Sequence, residues 1–138
     1  MKKKLNCILL IDDDNDCNYY HQKLLTKMNC ADSVAIVNDG QQALDFLTTA
    51  VSGTYPVPAM IFLDINMPKM NGWEFLKEYE KLDATMKAKI VLVMLTTSLN
   101  PDDQEKAGKF PDVQGFKNKF LSKETLIETF KRHFPENF

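Results

Sequence analysis

The stretch Ala59-Met60-Ile61-Phe62-Leu63-Asp64-Ile65-Asn66-Met67-Pro68 decides how this chain is read. Its unbroken apolar run, with no polar alternation, describes a strand covered on both faces, the kind found in parallel sheets. Asp64 then stands at the carboxyl end of that strand, the edge where open α/β sheets place their sites. Taken alone, its carboxylate has three readings: a nucleophile, a metal ligand, or the polar end of a strand.

Upstream, Cys7 to Ile11 is an apolar run of strand length closed by Asp12, Asp13 and Asp14. A helix is expected from about Asn15, with Tyr20, Leu24 and Met28 stepping by four along its inner face. Ser33 to Val37 reads as a second strand, and Asn38-Asp39-Gly40 turns into a helix carrying Ala43, Leu44 and Leu47. Residues 52–58 hold Gly53, Pro56 and Pro58, so they form a loop that delivers the chain to the Asp64 strand.

Downstream, Asn71 is a natural N-cap for a third helix with Phe75, Leu76, Tyr79 and Leu82 on its buried side. Ile90 to Leu95 is the most apolar strand, and it ends at Thr96-Thr97-Ser98. Pro101 suits the first turn of a short, polar fourth helix running from Asp102 to about Lys109. Val113 to Asn118 gives a fifth strand, and Ser122 caps a last helix with Leu126, Ile127, Phe130 and Phe134 inside.

Five β-α units with short connections imply an α/β domain, with helices on both faces of a parallel sheet. One domain is expected over residues 1–138, with its core over about 5–134. If every strand runs the same way, the polar strand ends gather on one edge: Asp12 and Asp13, Asp64, Thr96, and Lys119.

Composition excludes several other classes. Seventeen basic against nineteen acidic residues leave a net charge of -2, which gives no bulk attraction to nucleic acid. No apolar run approaches the roughly 20 residues of a membrane helix, so no membrane partner and a cytoplasmic location are expected. Cys7, Cys17 and Cys30 are odd in number and lack a Cys-x-x-Cys pair, which suits neither a disulfide framework nor a zinc site. They are read as reduced thiols, with Cys7 in the core.

Four motifs occur in order, each at a strand end: Leu-Leu-Ile-Asp12-Asp13-Asp14, Phe-Leu-Asp64-Ile-Asn-Met-Pro68-x-Met-Asn-Gly72, Met-Leu-Thr96-Thr and Gly115-Phe116-x-x-Lys119. Together they resemble the response-regulator receiver domain, over essentially the whole chain from Leu5 to Phe134. The resemblance implies a doubly wound, five-stranded parallel sheet of flavodoxin-like order 2-1-3-4-5. It implies Asp64 as phosphoacceptor, with Mg²⁺ (or Mn²⁺) held by Asp13, Asp64 and the backbone carbonyl of Asn66, and by Asp12 through water. Thr96 becomes the switch hydroxyl, Thr97 lends its backbone N–H, Lys119 pairs with the phosphoryl group, and Phe116 is the aromatic that changes rotamer. Asn66 and Ser98 take the variable positions that tune the lifetime of the phosphorylated state.

The implied partners are a histidine kinase or phosphotransfer protein as donor and an unknown downstream protein, or a second copy of the chain, as target. No enzyme activity is expected beyond the domain's own phosphotransfer and dephosphorylation. No output domain is expected, because the last predicted helix ends close to Phe138. The signal would pass in trans through the fourth helix, fifth strand and last helix. The chain departs from the family at Phe120, where most members have proline joined to the lysine through a cis peptide. Either this bond stays cis, which is disfavoured before a residue other than proline, or it goes trans and moves Lys119.

Three other readings compete. A constitutive protein-binding module would keep the fold without being phosphorylated. A phosphohydrolase of the haloacid-dehalogenase kind would want a second acid where Asn66 stands. A dinucleotide-binding domain would need a glycine-rich loop after the first strand, where this chain has acids. His21 and His133 are isolated on predicted helices, with surface or packing roles expected. Trp73, near the start of the third helix, is expected close enough to Asp64 to report on its site.

Overall fold

The computed structural model describes residues 2–87, 89–97 and 100–137. Alternate residues of the first strand, β1 (Leu5–Ile11), enter two different cores. Leu9 and Ile11 pack with Ile61, Leu63, Leu92 and Met94 on one side of the sheet, while Ile8 and Leu10 pack with Met60, Phe62, Val93 and Leu95 on the other. That two-sided burial is what an apolar run without alternation demands of a period-2 strand.

The remaining strands are β2 (Ala31–Val37), β3 (Met60–Asp64), β4 (Val91–Thr96) and β5 (Val113–Asn118). All neighbours pair in parallel, in the order β2-β1-β3-β4-β5, so the expected topology holds. The described helices are α1 (Asn15–Met28), α2 (Gly40–Thr48), α3 (Gly72–Glu80), α4 (Ala84–Lys87), α5 (Pro101–Ala107) and α6 (Lys123–His133). Leu25 of α1 and Leu126 and Phe130 of α6 cover one face. Ala43 and Leu47 of α2, Phe75, Leu76 and Tyr79 of α3, and Ala107 of α5 cover the other.

Several local expectations need correction. Strands β1 and β2 start two residues before the apolar pattern does, because Leu5 pairs with Ala31 and donates its N–H to the Cys30 carbonyl at 2.9 Å. Cys7 is half-buried, not core. The inner face of α1 is Cys17, Asn18, His21 and Leu25, and Tyr20 is 44 % exposed. The fourth of the expected helices, here α5, stops at Ala107, two residues short of Lys109.

Short helix α4 and a 3-10 turn at Pro135–Asn137 were not anticipated. Lys87, at the end of α4, donates to the Tyr79 and Glu80 carbonyls at 3.2 Å each, so it satisfies acceptors that the end of α3 leaves open. Ser98, a position assigned to lifetime tuning, lies outside the described residues.

Candidate functional site: an acid pocket bridged by a lysine

At the carboxyl edge of the sheet, β1 and β3 run side by side and release Asp12 and Asp64 into one pocket. The loop after each strand is shaped to keep them there. Asp14 caps α1, its Oδ1 accepting from the Asp16 and Cys17 amides at 3.0 and 3.2 Å. It therefore serves the helix. Asp12 Oδ1 accepts from the Asp14 amide at 2.9 Å, and the Asp12 carbonyl accepts from Asn18 Nδ2 at 2.8 Å and Asn38 Nδ2 at 3.2 Å. After β3 the chain folds back so that the Gly72 amide donates to the Ile65 carbonyl at 2.8 Å. A Cβ on Gly72 would lie 2.7 Å from the Asp64 carbonyl oxygen, so only glycine lets α3 begin this close to the acid.

Helix α3 is further fixed by a reciprocal cap, with the Glu74 amide bonded to Asn71 Oδ1 at 2.9 Å and the Asn71 amide to Glu74 Oε1 at 3.1 Å. Asp12 and Asp64 are each 3 % exposed, whereas Asp13 is open to solvent. Oxygens from all three carboxylates lie within 4.8 Å of one another.

Lys119, one residue beyond β5, closes the pocket. The Lys119–Phe120 peptide is cis. The Lys119 ammonium stands 2.9 Å from Asp12 Oδ2 and 3.2 Å from Asp64 Oδ1, with its side chain only 6 % exposed. The alternative geometry, in which Phe120 displaces the lysine, does not occur. Its own amide donates to the Thr96 carbonyl at 2.7 Å, tying the lysine to the end of β4.

Burial and the negative charge of Asp12 push the Asp64 carboxyl up to about 7, and Lys119 acts against that shift. Burial opposes charge on Lys119 as well, but Asp12 and Asp64 outweigh it and hold the ammonium above its ordinary range.

The donor set fits a hard divalent cation. Three carboxylates converge, and buried Asp12 Oδ2 has no aligned hydrogen bond among the described residues, only the nearby ammonium. Mg²⁺ and Mn²⁺ prefer oxygen ligands of this kind.

The other expected residues are arranged around this core. Thr96 ends β4 and is buried, and Thr97 follows it at the surface. Asn66 is exposed in the loop between β3 and α3. Phe116 pairs with Met94 in the sheet, two rungs back from the Thr96–Asn118 pair at the edge, and is half-buried against the α2–α3 core. Trp73 is buried on α3, stacked on Phe110 at 6.1 Å and under the Lys106 ammonium at 4.7 Å, so its ring touches α5 through Lys106.

Asn18 carries no signal in the sequence reading, and His21, expected only in a surface or packing role, also makes a specific hydrogen bond. Asn18 supports the Asp12 carbonyl, and His21, 2 % exposed, accepts the Leu121 amide on Nε2 at 2.9 Å. The usable signal was the spacing Cys17, His21, Leu25, a second stripe stepping by four beside the Tyr20 stripe.

Residues 8–131 match the response regulator receiver domain family. The chain is 30 % identical over 129 residues to the probable methanogenesis regulatory protein FilR2 of Methanothrix harundinacea, covering 94 % of this chain and 79 % of that protein. It is 37 % identical over 99 residues to response regulator Rcp1 of Synechocystis, covering 70 % of this chain and 65 % of the relative. A two component response regulator from Cytophaga hutchinsonii superposes with a TM-score of 0.85 at 29 % identity, covering 96 % of this chain and 99 % of the other. The chain belongs to the response regulator receiver domain family.

Proposed function

We propose that this chain is a phosphorylation-dependent signalling switch that accepts a phosphoryl group on Asp64. Receiver domains bind Mg²⁺ at an acidic pocket and take phosphoryl groups from histidine kinases or phosphotransfer proteins. The observation that carries the reading to this chain is the Lys119 ammonium at 2.9 and 3.2 Å from the two buried acids. A cation fixed beside the nucleophile is what phosphoryl transfer needs, since the reaction depends on positioning and charge neutralisation more than on covalent help.

In the proposed reaction an Asp64 carboxylate oxygen attacks phosphorus and forms a new P–O bond. The P–N bond to the donor imidazole breaks, its electron pair stays on the leaving nitrogen, and that nitrogen takes a proton from solvent. Asp12, Asp13, Asp64 and the Asn66 carbonyl would hold Mg²⁺ or Mn²⁺, which when bound supplies positive charge to the phosphoryl oxygens. Lys119 turns from Asp64 to the new phosphoryl group, the Thr96 hydroxyl donates to one of its oxygens, and the Thr97 amide to another. As Thr96 moves, Phe116 fills the space behind it.

Output passes in trans through the α5–β5–α6 face to a downstream protein or a second copy of the chain in the cytoplasm. Among the described residues no helix is long and apolar enough to cross a membrane, which is compatible with that location.

Incubation with a small phosphodonor and Mg²⁺, followed by intact mass, tests the reading. One phosphoryl group is expected on the wild type and none on Asp64→Asn. No uptake from any donor would favour a constitutive binding module with the receiver fold.

A further inference from the structure

The loop that carries Lys119 is held from across the molecule. The Leu121 amide, two residues after Lys119, donates to His21 Nε2 on α1 over 2.9 Å, a buried contact spanning 100 positions of sequence. His21 Nδ1 lies 3.6 Å from Cys17 Sγ, one helical turn earlier. Phe120 packs against the same ring at a centroid distance of 5.8 Å, with Tyr20 5.3 Å from Phe120 on its outer side.

The direction of these bonds fixes the state of the ring. An amide can only donate, so Nε2 must present its lone pair, and the neutral imidazole then carries its proton on Nδ1, facing Cys17. Burial favours the neutral form and pulls His21 down to about 4, with the charge on Lys119 acting in the same direction against the pull of Asp12. Cys17, raised to about 12 by burial first and by Asp12 next, stays a thiol beside it.

Helix α1 is thereby bonded to both walls of the acid pocket. Asn18 holds the Asp12 carbonyl at 2.8 Å, and His21 holds the loop that aims Lys119 at Asp12 and Asp64.

We propose that His21 is a positioning residue for phosphoryl transfer, which through the Leu121 amide holds Lys119 in the acid pocket. This inference rests on the phosphoacceptor reading of Asp64, because Lys119 matters to transfer only there. A histidine that merely filled space would be replaceable by an apolar residue without effect on Lys119. A positioning histidine is replaceable only by a side chain that accepts at the Nε2 position, which glutamine can do through its amide oxygen.

The decisive readout is the ε-methylene NMR signal of Lys119 in the metal-free protein, assigned by its loss in Lys119→Ala. In His21→Leu this signal is expected to move to the position of exposed lysines, and in His21→Gln to remain at the wild-type position. An unchanged Lys119 signal in His21→Leu overturns the inference. Should His21→Leu fail to fold, the imidazole nitrogen spectrum of the wild type decides. A proton on Nδ1 and a bare Nε2 are expected between pH 5 and 8, and a protonated Nε2 overturns the proposal. Neither readout involves Mg²⁺ or a phosphodonor. Failure of the phosphoacceptor reading would instead appear as absent phosphoryl uptake with the Lys119 signal behaving as predicted.

Discussion

Helix α1 runs for 14 residues and buries Cys17, Asn18, His21 and Leu25, whereas α5 runs for seven and buries Ala107. Each follows a strand whose last residues enter the site, β1 ending beside Asp12 and β4 at Thr96. Helix α1 is bonded to the pocket through Asn18 and His21, and its cap Asp14 belongs to the acid motif itself. Helix α5 is held by the Ala107 contact and by Lys106 over Trp73, with acids at Asp102 and Asp103 in its first turn. The contrast separates a fixed wall, which sets the geometry of the acids, from a lightly attached element. Elements that move in switching are drawn from the weakly held end of a structure.

The largest expected effects lie in the pocket that α1 fixes. Lys119→Ala should lower the phosphorylation rate by roughly a hundredfold or more, as removal of one positioned charge-stabilising donor does elsewhere. Rapid mixing with a small phosphodonor and Mg²⁺ measures it, and a near-wild-type rate would break the link between Lys119 and transfer.

Next comes the cost of loosening each helix. Leu25→Ala on α1 should cost about 2–5 kcal/mol, the usual range for truncating a buried leucine, while exposed Glu105→Ala on α5 should stay within about 0.5 kcal/mol. Urea unfolding of both variants checks the pair. Equal losses would remove the distinction between wall and movable element.

A third prediction uses pH to separate the pocket from the wall behind it. Asp64 is raised from its ordinary value to about 7, so between pH 4 and 7 the folded protein binds a proton that the unfolded chain does not. Its contribution to stability is therefore present at low pH and is lost as pH rises through 7. His21 is lowered to about 4 and has the opposite slope, since from pH 4 to 6.5 the unfolded chain binds the extra proton and stability rises with pH. In the metal-free protein Asp64→Asn is thus expected to be stabilising at pH 7.5 and nearly neutral at pH 4. Denaturant midpoints across that range give the answer.

The smallest effect concerns dynamics. Amide hydrogen exchange should be faster in α5 than in the centre of α1 before phosphorylation. Phosphorylation should change protection in α5 more than in α1, with Trp73 fluorescence following α5. A change confined to α1 would reverse the assignment of the moving part.

The parts legible in sequence were those written in consecutive residues. An apolar run without alternation marked β3 and β4 as doubly covered, and acids, threonine and lysine at strand ends marked the edge. What escaped was decided by contacts between distant segments. The Tyr20 stripe and the Cys17 stripe both step by four along α1, and only the position of Leu121 and Phe120 shows why the second faces inward. Helix α4 rests on a lysine reaching back to the carbonyls of α3, a pairing with no local pattern. The conformation at Lys119–Phe120 was likewise open in sequence, and the cis bond with Lys119 between the two acids resolves it.

The most direct test of the central claim locates the phosphoryl group itself. The wild-type chain is treated with a small phosphodonor and Mg²⁺, reduced with borohydride, which converts an acyl phosphate to the corresponding alcohol, and sequenced by peptide mass. Homoserine at position 64, absent when Mg²⁺ is chelated, is the predicted result. Reduction at Asp12 or Asp13, or at no aspartate while phosphoryl uptake persists, would contradict it.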